Sequence, residues 1–239
     1  MRKFCLLIAI TFVTVSCNSP LSSVNDLTFS GINGNVSVIK ESIYSSADQD
    51  GEAVRGKLLM SSLQEFNESG RMTSEVCYDS NGEKTSEQTR TYDEDNLLCG
   101  RSEWTSPLFY TTSKVFQRKR NLAGWMKSNG DIIAVRTKGH VEKEYYEDKV
   151  LLRKTRYNKD FMCVSECIHN PKDGSVTREI RNIYDGRLLM EQTVTIDGED
   201  YISTYEYRSF DPEGNWTEAV FSDGEIGENF ICVREYTYR

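Results

Sequence analysis

The sequence predicts an all-β fold: an antiparallel meander of repeated hairpins, forming an open twisted sheet or a partial barrel. Two observations carry that expectation. Short polar turns rich in Asp, Asn and Gly recur from Phe66 onward. Those beginning at Tyr146, Tyr157, His169, Tyr184, Ile196, Phe210 and Phe221 fall 11 to 15 residues apart, the length of one strand plus one turn. Between turns the residues alternate with period two. Tyr201, Tyr205 and Tyr207 share one side of a strand, and Ile202, Thr204, Glu206 and Arg208 the other; Phe230, Cys232, Tyr236 and Tyr238 likewise oppose Ile231, Val233, Glu235 and Thr237.

The chain begins with a segment that does not belong to this sheet. Arg2 and Lys3 precede an apolar run from Phe4 to Val15, followed by Ser16-Cys17-Asn18. A basic start, about 12 apolar residues and a small residue before the cut describe an export signal over residues 1–16. The run falls short of the roughly 20 residues that span a bilayer. Thr14-Val15-Ser16-Cys17 resembles the lipobox of bacterial lipoproteins, and the resemblance implies that Cys17 is acylated and becomes the new N-terminus. Removing Arg2 and Lys3 takes the formal charge from −8 to −10. Such an acidic surface disfavours nucleic acid and anionic lipid as partners. The membrane contact is therefore expected through the lipid alone, in the cell envelope at the outer membrane of a Gram-negative bacterium.

Residues 17–26 are polar and turn-prone, a short tether. Residues 27–105 read as N-terminal strands and repeats. Val36, Val38 and Ile39 start one strand, Ser45 to Gly51 is a turn, and residues 53–66 read as a second strand despite a helical stripe through Leu59, Leu63 and Phe66. Lys84 to Tyr92 has almost no apolar face, so this part of the sheet is expected to be wet on both sides. Residues 106–144 break the rhythm, with Pro107 and the basic run Lys114 to Arg120, and read as an irregular insertion. Residues 145–239 form a C-terminal repeat block, and residues 27–239 are expected to make one continuous β domain.

In the repeats an aromatic or β-branched residue closes a strand, a polar turn of Asp, Asn or Gly follows, and a new strand begins. Asx side chains bond their own main chain, and Gly reaches positive φ. Tyr78-Asp79 with Gly82, Tyr92-Asp93, Tyr184-Asp185-Gly186 and Phe210-Asp211 with Gly214 resemble the YD (Rhs-type) repeats of exported bacterial proteins. Asp211 to Thr217, followed by Arg234-Glu-Tyr-Thr-Tyr238, is similar to the C-terminal end of small lipoproteins carrying such repeats. The resemblance implies a β-sheet scaffold and no particular chemistry.

No catalytic residue, metal site or cofactor is expected. Cys163, Cys167 and His169 share a strand side, but Cys163 and Cys167 would stand about 13 Å apart, too far for one zinc. His140 and His169 have no nucleophile motif beside them. The carboxylates sit in turns, where solvation explains them. The candidate binding face is aromatic: Tyr201, Tyr205, Tyr207, Trp216, Tyr236 and Tyr238, flat rings with polar edges that suit a protein, peptide or glycan. Cross-strand packing is the structural use of the same rings. The expected function is a non-catalytic binding or scaffold module anchored by lipid. The alternative is an envelope protein that handles lipids or lipoproteins in an apolar cavity.

Overall fold

The computed structural model describes residues 25–92, 98–105, 109–113, 132–137, 140–147 and 150–239. The signal segment, Cys17 and the tether up to residue 24 lie outside the described residues. A single helical turn, α1 (Asp26–Phe29), precedes fifteen strands. These are β1 (Val36–Gln49), β2 (Glu52–Phe66), β3 (Met72–Asp79), β4 (Lys84–Tyr92), β5 (Leu98–Thr105), β6 (Phe109–Ser113), β7 (Ile132–Thr137), β8 (His140–Glu147), β9 (Val150–Tyr157), β10 (Cys163–His169), β11 (Val176–Asp185), β12 (Leu188–Ile196), β13 (Glu199–Phe210), β14 (Trp216–Asp223) and β15 (Glu228–Tyr238). The region expected to be an irregular insertion thus holds β6, β7 and the start of β8.

All fifteen strands belong to one sheet, in the order β6-β5-β4-β3-β2-β1-β15-β14-β13-β12-β11-β10-β9-β8-β7. The sheet is two meanders, β1 to β6 and β7 to β15, sewn together where β15 returns to pair with β1, from Val36 opposite Tyr238 to Ser45 opposite Phe230. Every neighbouring pair is antiparallel. The edge strands β6 and β7 therefore run in the same direction and cannot close the sheet through an antiparallel ladder. The sheet is open.

Two kinds of turn recur among the described residues. Asp50-Gly51 and Asp197-Gly198 have positive φ at both residues (57 and 86°, 54 and 83°), the two-residue hairpin turn whose twist matches that of the strands. The aromatic-Asx turns share a second geometry. In those at Asn67, Asp79 and Asp211, the Asx N–H donates to the carbonyl four residues on, and the Asx carbonyl accepts from the N–H of Gly70, Gly82 or Gly214. The turn at Asn158 is identical, with Phe161 (φ 64°) in the glycine place.

A flat sheet would separate β2 from β10 by seven strand spacings, about 33 Å. The segment after the tether shows that it is not flat. Asp26 and Leu27 donate their N–H groups to the Gly70 carbonyl after β2, at 3.1 and 3.3 Å. Only four residues beyond Leu27, a Cβ on Gly31 would stand 3.4 Å from Met162 Cε, just before β10. Four residues reach at most about 14 Å. The sheet therefore curls around residues 25–35, which act as a plug gripping the turns at one end. Asn33 N–H donates to Asn215 Oδ1 at 2.7 Å, Asn215 Nδ2 returns a bond to the Asn33 carbonyl at 2.9 Å, and Arg187 Nη1 reaches Asn33 Oδ1 at 3.2 Å.

Most of the core lies on the inner face of the curl, while Ile231, 0% exposed, is buried on the outer face. At the plug end Leu27 and Ile32 pack with Val36, Ile39, Phe66 and Met72, with Tyr236 against them. Midway along the strands Ile43, Phe221, Phe230 and Cys232 pack with Leu59, Met60, Tyr205 and Trp216. Ile180 and Val194 carry the buried row outward on β11 and β12. The curl also corrects the expectation for Lys84 to Tyr92. Residues 85–89 are half-buried on both sides of the strand and Arg90, on the inner side, is 7% exposed.

Candidate functional site

Alternation along β13 places Tyr201, Tyr205 and Tyr207 on the inner face, which they share with Trp216 and Tyr236. The Tyr205 and Phe221 rings stack at 6.0 Å, Phe221 and Phe230 at 5.0 Å, and Tyr207 tilts against Trp216 at 5.7 Å. Tyr238 stands at the plug end, 6.3 Å from Tyr236. Four of these phenol groups are bound to the scaffold. Tyr207 donates to the Leu189 carbonyl at 2.9 Å and Tyr236 to the Trp216 carbonyl at 3.0 Å. Tyr201 donates to Glu199 at 3.0 Å, and Tyr238 bonds Asp211 and Asn215. Burial pushes the Tyr207 phenol up to about 12 and drives Tyr205 upward as well. Both are neutral hydrogen-bonding groups on an apolar strip.

Beside that strip lies a pair that the sequence reading passed over. Arg234 Nε donates to Glu41 Oε2 at 2.6 Å, and the two side chains are 10% and 4% exposed. The guanidinium sits 3.9 Å from the Trp216 ring centroid. Burial opposes the Arg234 charge, but Glu41, Tyr236 and Cys232 together outweigh it and the net shift is upward. The signal was available. Ile39-x-Glu41-x-Ile43 and Cys232-x-Arg234-x-Tyr236 each put a charge in an apolar row, and such charges are almost always paired. Burial, reinforced by Glu41, holds the Cys232 thiol well above its ordinary range, so it packs as a small apolar group.

Two polar flanks border this strip on the inner face. On the β2–β4 side, Gln64 Nε2 donates to Glu75 Oε1 at 3.0 Å. On the β9–β12 side, the Thr155 hydroxyl donates to Glu166 at 3.1 Å, and Gln192 Nε2 donates to Asn182 Oδ1 at 3.0 Å. An aromatic strip between hydrogen-bonding flanks is an amphiphilic surface.

No family model matches the chain, and no curated protein matches it. Among solved structures it is similar to a porin-like protein from Bacteroides uniformis, at 10% identity and a TM-score of 0.32, over 86% of this chain and 99% of that one. It is similar to a LolA superfamily protein from Nitrosomonas europaea at 8% identity and a TM-score of 0.35, over 93% and 94%. It is also similar to the Tc holotoxin pore of Photorhabdus luminescens at 16% identity and a TM-score of 0.29, over 82% of this chain and 12% of that one.

The outer face carries a second concavity. β1 leaves β15 after Ser45 but stays paired with β2 to the end of the hairpin, Gln49 opposite Glu52. The ladder is irregular from Ile43 to Ser46, and a Cβ on Gly56 would stand 2.6 Å from Ser45 Oγ. The hairpin tip therefore bends off the sheet and crosses to β13 and β14. Arg55 pairs with Glu218, and Arg208 Nη1 donates to the Ala53 carbonyl at 2.5 Å. Under the tip lies a polar pocket of about 600 Å³, lined by Glu52, Thr204, Glu206, Arg208, Ser222 and Asn229 among others.

Sequence reasoning missed this hairpin flap because nothing local marks where a long hairpin turns off its sheet. Among the described residues no group of three or more His, Cys, Asp or Glu side chains is placed to hold a metal. His169 Nδ1 lies 3.0 Å from the Gly174 carbonyl within its own turn. Cys77, Cys167 and Cys232 are free thiols, and Cys163 Sγ donates to the Ser165 carbonyl at 3.7 Å.

Proposed function

We propose that this chain is a non-catalytic cell-envelope protein, anchored through acylated Cys17, whose curled sheet handles an amphiphile on its inner face. The ligand class is a lipid or the acyl chain of a lipoprotein. The observation that supports this reading is the inner face itself. One open sheet wraps around a plug and turns inward a strip of Ile43, Tyr205, Phe221 and Phe230 between polar flanks. An aliphatic chain laid on the half-buried Tyr205, Tyr207 and Trp216 rings along that strip loses water, and a headgroup at its end meets hydrogen-bonding side chains. An unclosed sheet leaves a side route for such a chain. The signal-and-lipobox pattern at Cys17 supports the envelope and the outer membrane as its location.

Native mass spectrometry of the acylated protein in an uncharged detergent, together with titration of a fluorescent fatty-acid probe, tests the reading. A co-purifying lipid and saturable probe binding, lost in Tyr205→Glu, are the expected results. Absence of both overturns it.

A scaffold or binding module for a peptide or glycan is the second reading, and the polar pocket under the β1–β2 tip favours it. Capture of a defined envelope partner that is lost in Arg208→Ala, with no lipid bound, would select it over the first.

A further inference from the structure

Among the described residues, Glu166 Oε1 and Arg178 Nε are buried polar atoms on the inner face that make no hydrogen bond. Glu166 is 2% exposed; its Oε2 accepts the Thr155 hydroxyl at 3.1 Å, and its Oε1 accepts nothing. On the adjacent strand Nε of Arg178 is buried and donates to nothing. Glu166 lies opposite Ile180, and Arg178 is two residues along β11 on the same side. That makes Arg178 the diagonal neighbour of Glu166, about 7–8 Å away between Cα atoms. Ions this close ordinarily bond directly, yet these two atoms do not. A buried acceptor and a buried donor left apart each carry a desolvation penalty that a bound group of the opposite character removes. Buried Ile180 and Val194 adjoin them, so a group held there would be screened from water.

We infer that Glu166 and Arg178 form a site on the inner face for a zwitterionic group, with an ammonium bonded to Oε1 of Glu166 and an anionic oxygen bonded to Nε of Arg178. A lone cation would leave Nε unpaired, and a lone anion would leave Oε1 unpaired. A group carrying both charges a few ångströms apart satisfies the two atoms together. The phosphoethanolamine headgroup of a membrane lipid has this chemistry, as do free zwitterions such as ethanolamine phosphate. Assignment to the lipid rests on the amphiphile reading proposed above; the side-chain geometry does not.

The full acylated protein in dodecyl maltoside micelles is titrated by calorimetry with short-chain phosphatidylethanolamine, with phosphatidylglycerol of the same chain length, and with ethanolamine phosphate. Phosphatidylethanolamine is expected to bind about tenfold or more tightly than phosphatidylglycerol, as the loss of one charge-assisted hydrogen bond predicts. Glu166→Gln keeps the side-chain shape, and Arg178→Lys keeps the charge but removes Nε. Each should lower phosphatidylethanolamine affinity by about tenfold; Glu166→Gln should leave phosphatidylglycerol, which brings no ammonium, unchanged, whereas Arg178→Lys should weaken both lipids, because both carry the phosphate. Unchanged melting curves for the two variants establish that their folds are intact.

Equal affinity for the two lipids, or no effect of either substitution, overturns the site. If the fatty-acid probe still binds in that case, the amphiphile reading stands without it; if the probe also fails, both fall. Ethanolamine phosphate binding as tightly as the lipid would keep the site and overturn its assignment to a lipid.

Discussion

Glu41 and Arg234 are the residues where the inner face departs most from a simple apolar row. Burying an ion pair usually costs more in lost hydration than the attraction returns. Here Trp216 covers the guanidinium from one side, and the short bond to Glu41 uses one of its N–H groups. The vulnerable state is half a pair. Arg234→Met should leave Glu41 buried and unmatched, costing about 3–5 kcal/mol of stability. Glu41→Leu combined with Arg234→Met should return to within about 1–2 kcal/mol of the parent, because no charge is then stranded. Urea unfolding of the two singles and the double measures the coupling. A double variant as unstable as the sum of its singles would show that the pair does not act as a unit. These positions were legible in the sequence as charges inside alternating apolar rows. Their pairing was not, because Glu41 and Arg234 are 193 residues apart and meet only where β15 returns to β1.

At the scale of the element, the turns were the most readable part of the chain. Asx and Gly act on the two or three peptide units beside them, so a local pattern suffices to place a turn. What locality hides is that identical turns stand in different surroundings. Gly214 (φ 80°) has its nearest neighbour, Asn33 Nδ2, 3.7 Å from an added Cβ. At Gly70 (φ 71°) an added Cβ would collide with the amide of Asn25, the residue whose side chain caps α1 by accepting from Thr28 N–H at 2.9 Å. Gly214→Ala should therefore cost only the left-handed strain, about 1–2 kcal/mol. Gly70→Ala should cost clearly more, because it also pushes the plug off its seat. Asn25→Gly sacrifices only a few tenths of a kcal/mol at the cap and removes the collision. Combined with Gly70→Ala, it should be less destabilising than the sum of the two changes. Denaturant midpoints for the four proteins decide this, and equal costs at Gly70 and Gly214 would mean that Asn25 does not press on its turn.

At the scale of the whole molecule, the sequence could indicate an antiparallel meander but not its curl. Alternation and turn spacing describe each strand and its immediate partner. Curvature is set by which distant turns are held together, as when Asn33 and Asn215 join across 182 residues. The plug itself was hidden because one helical turn offers too few residues for a periodic signal, so Asn25 and Asp26 read as the end of a tether. Its role has a consequence that a flat sheet could not share. Ile32 is 6% exposed in the plug-end cluster, and Ile32→Ala should cost about 2–4 kcal/mol through the cavity it leaves. Ladders alone would confine the resulting loosening to β1 and its neighbours. If the plug holds the curl, amide exchange should speed up together in the Asn67–Arg71 turn and the Asn158–Met162 turn, although seven strand spacings separate their strands. The Asp-Gly turns at Asp50 and Asp197, at the opposite end of the strands, should keep their protection. Hydrogen-exchange mass spectrometry of Ile32→Ala resolves these segments, and acceleration restricted to peptides from β1, β2 and β15 would show that the sheet keeps its curl without the plug.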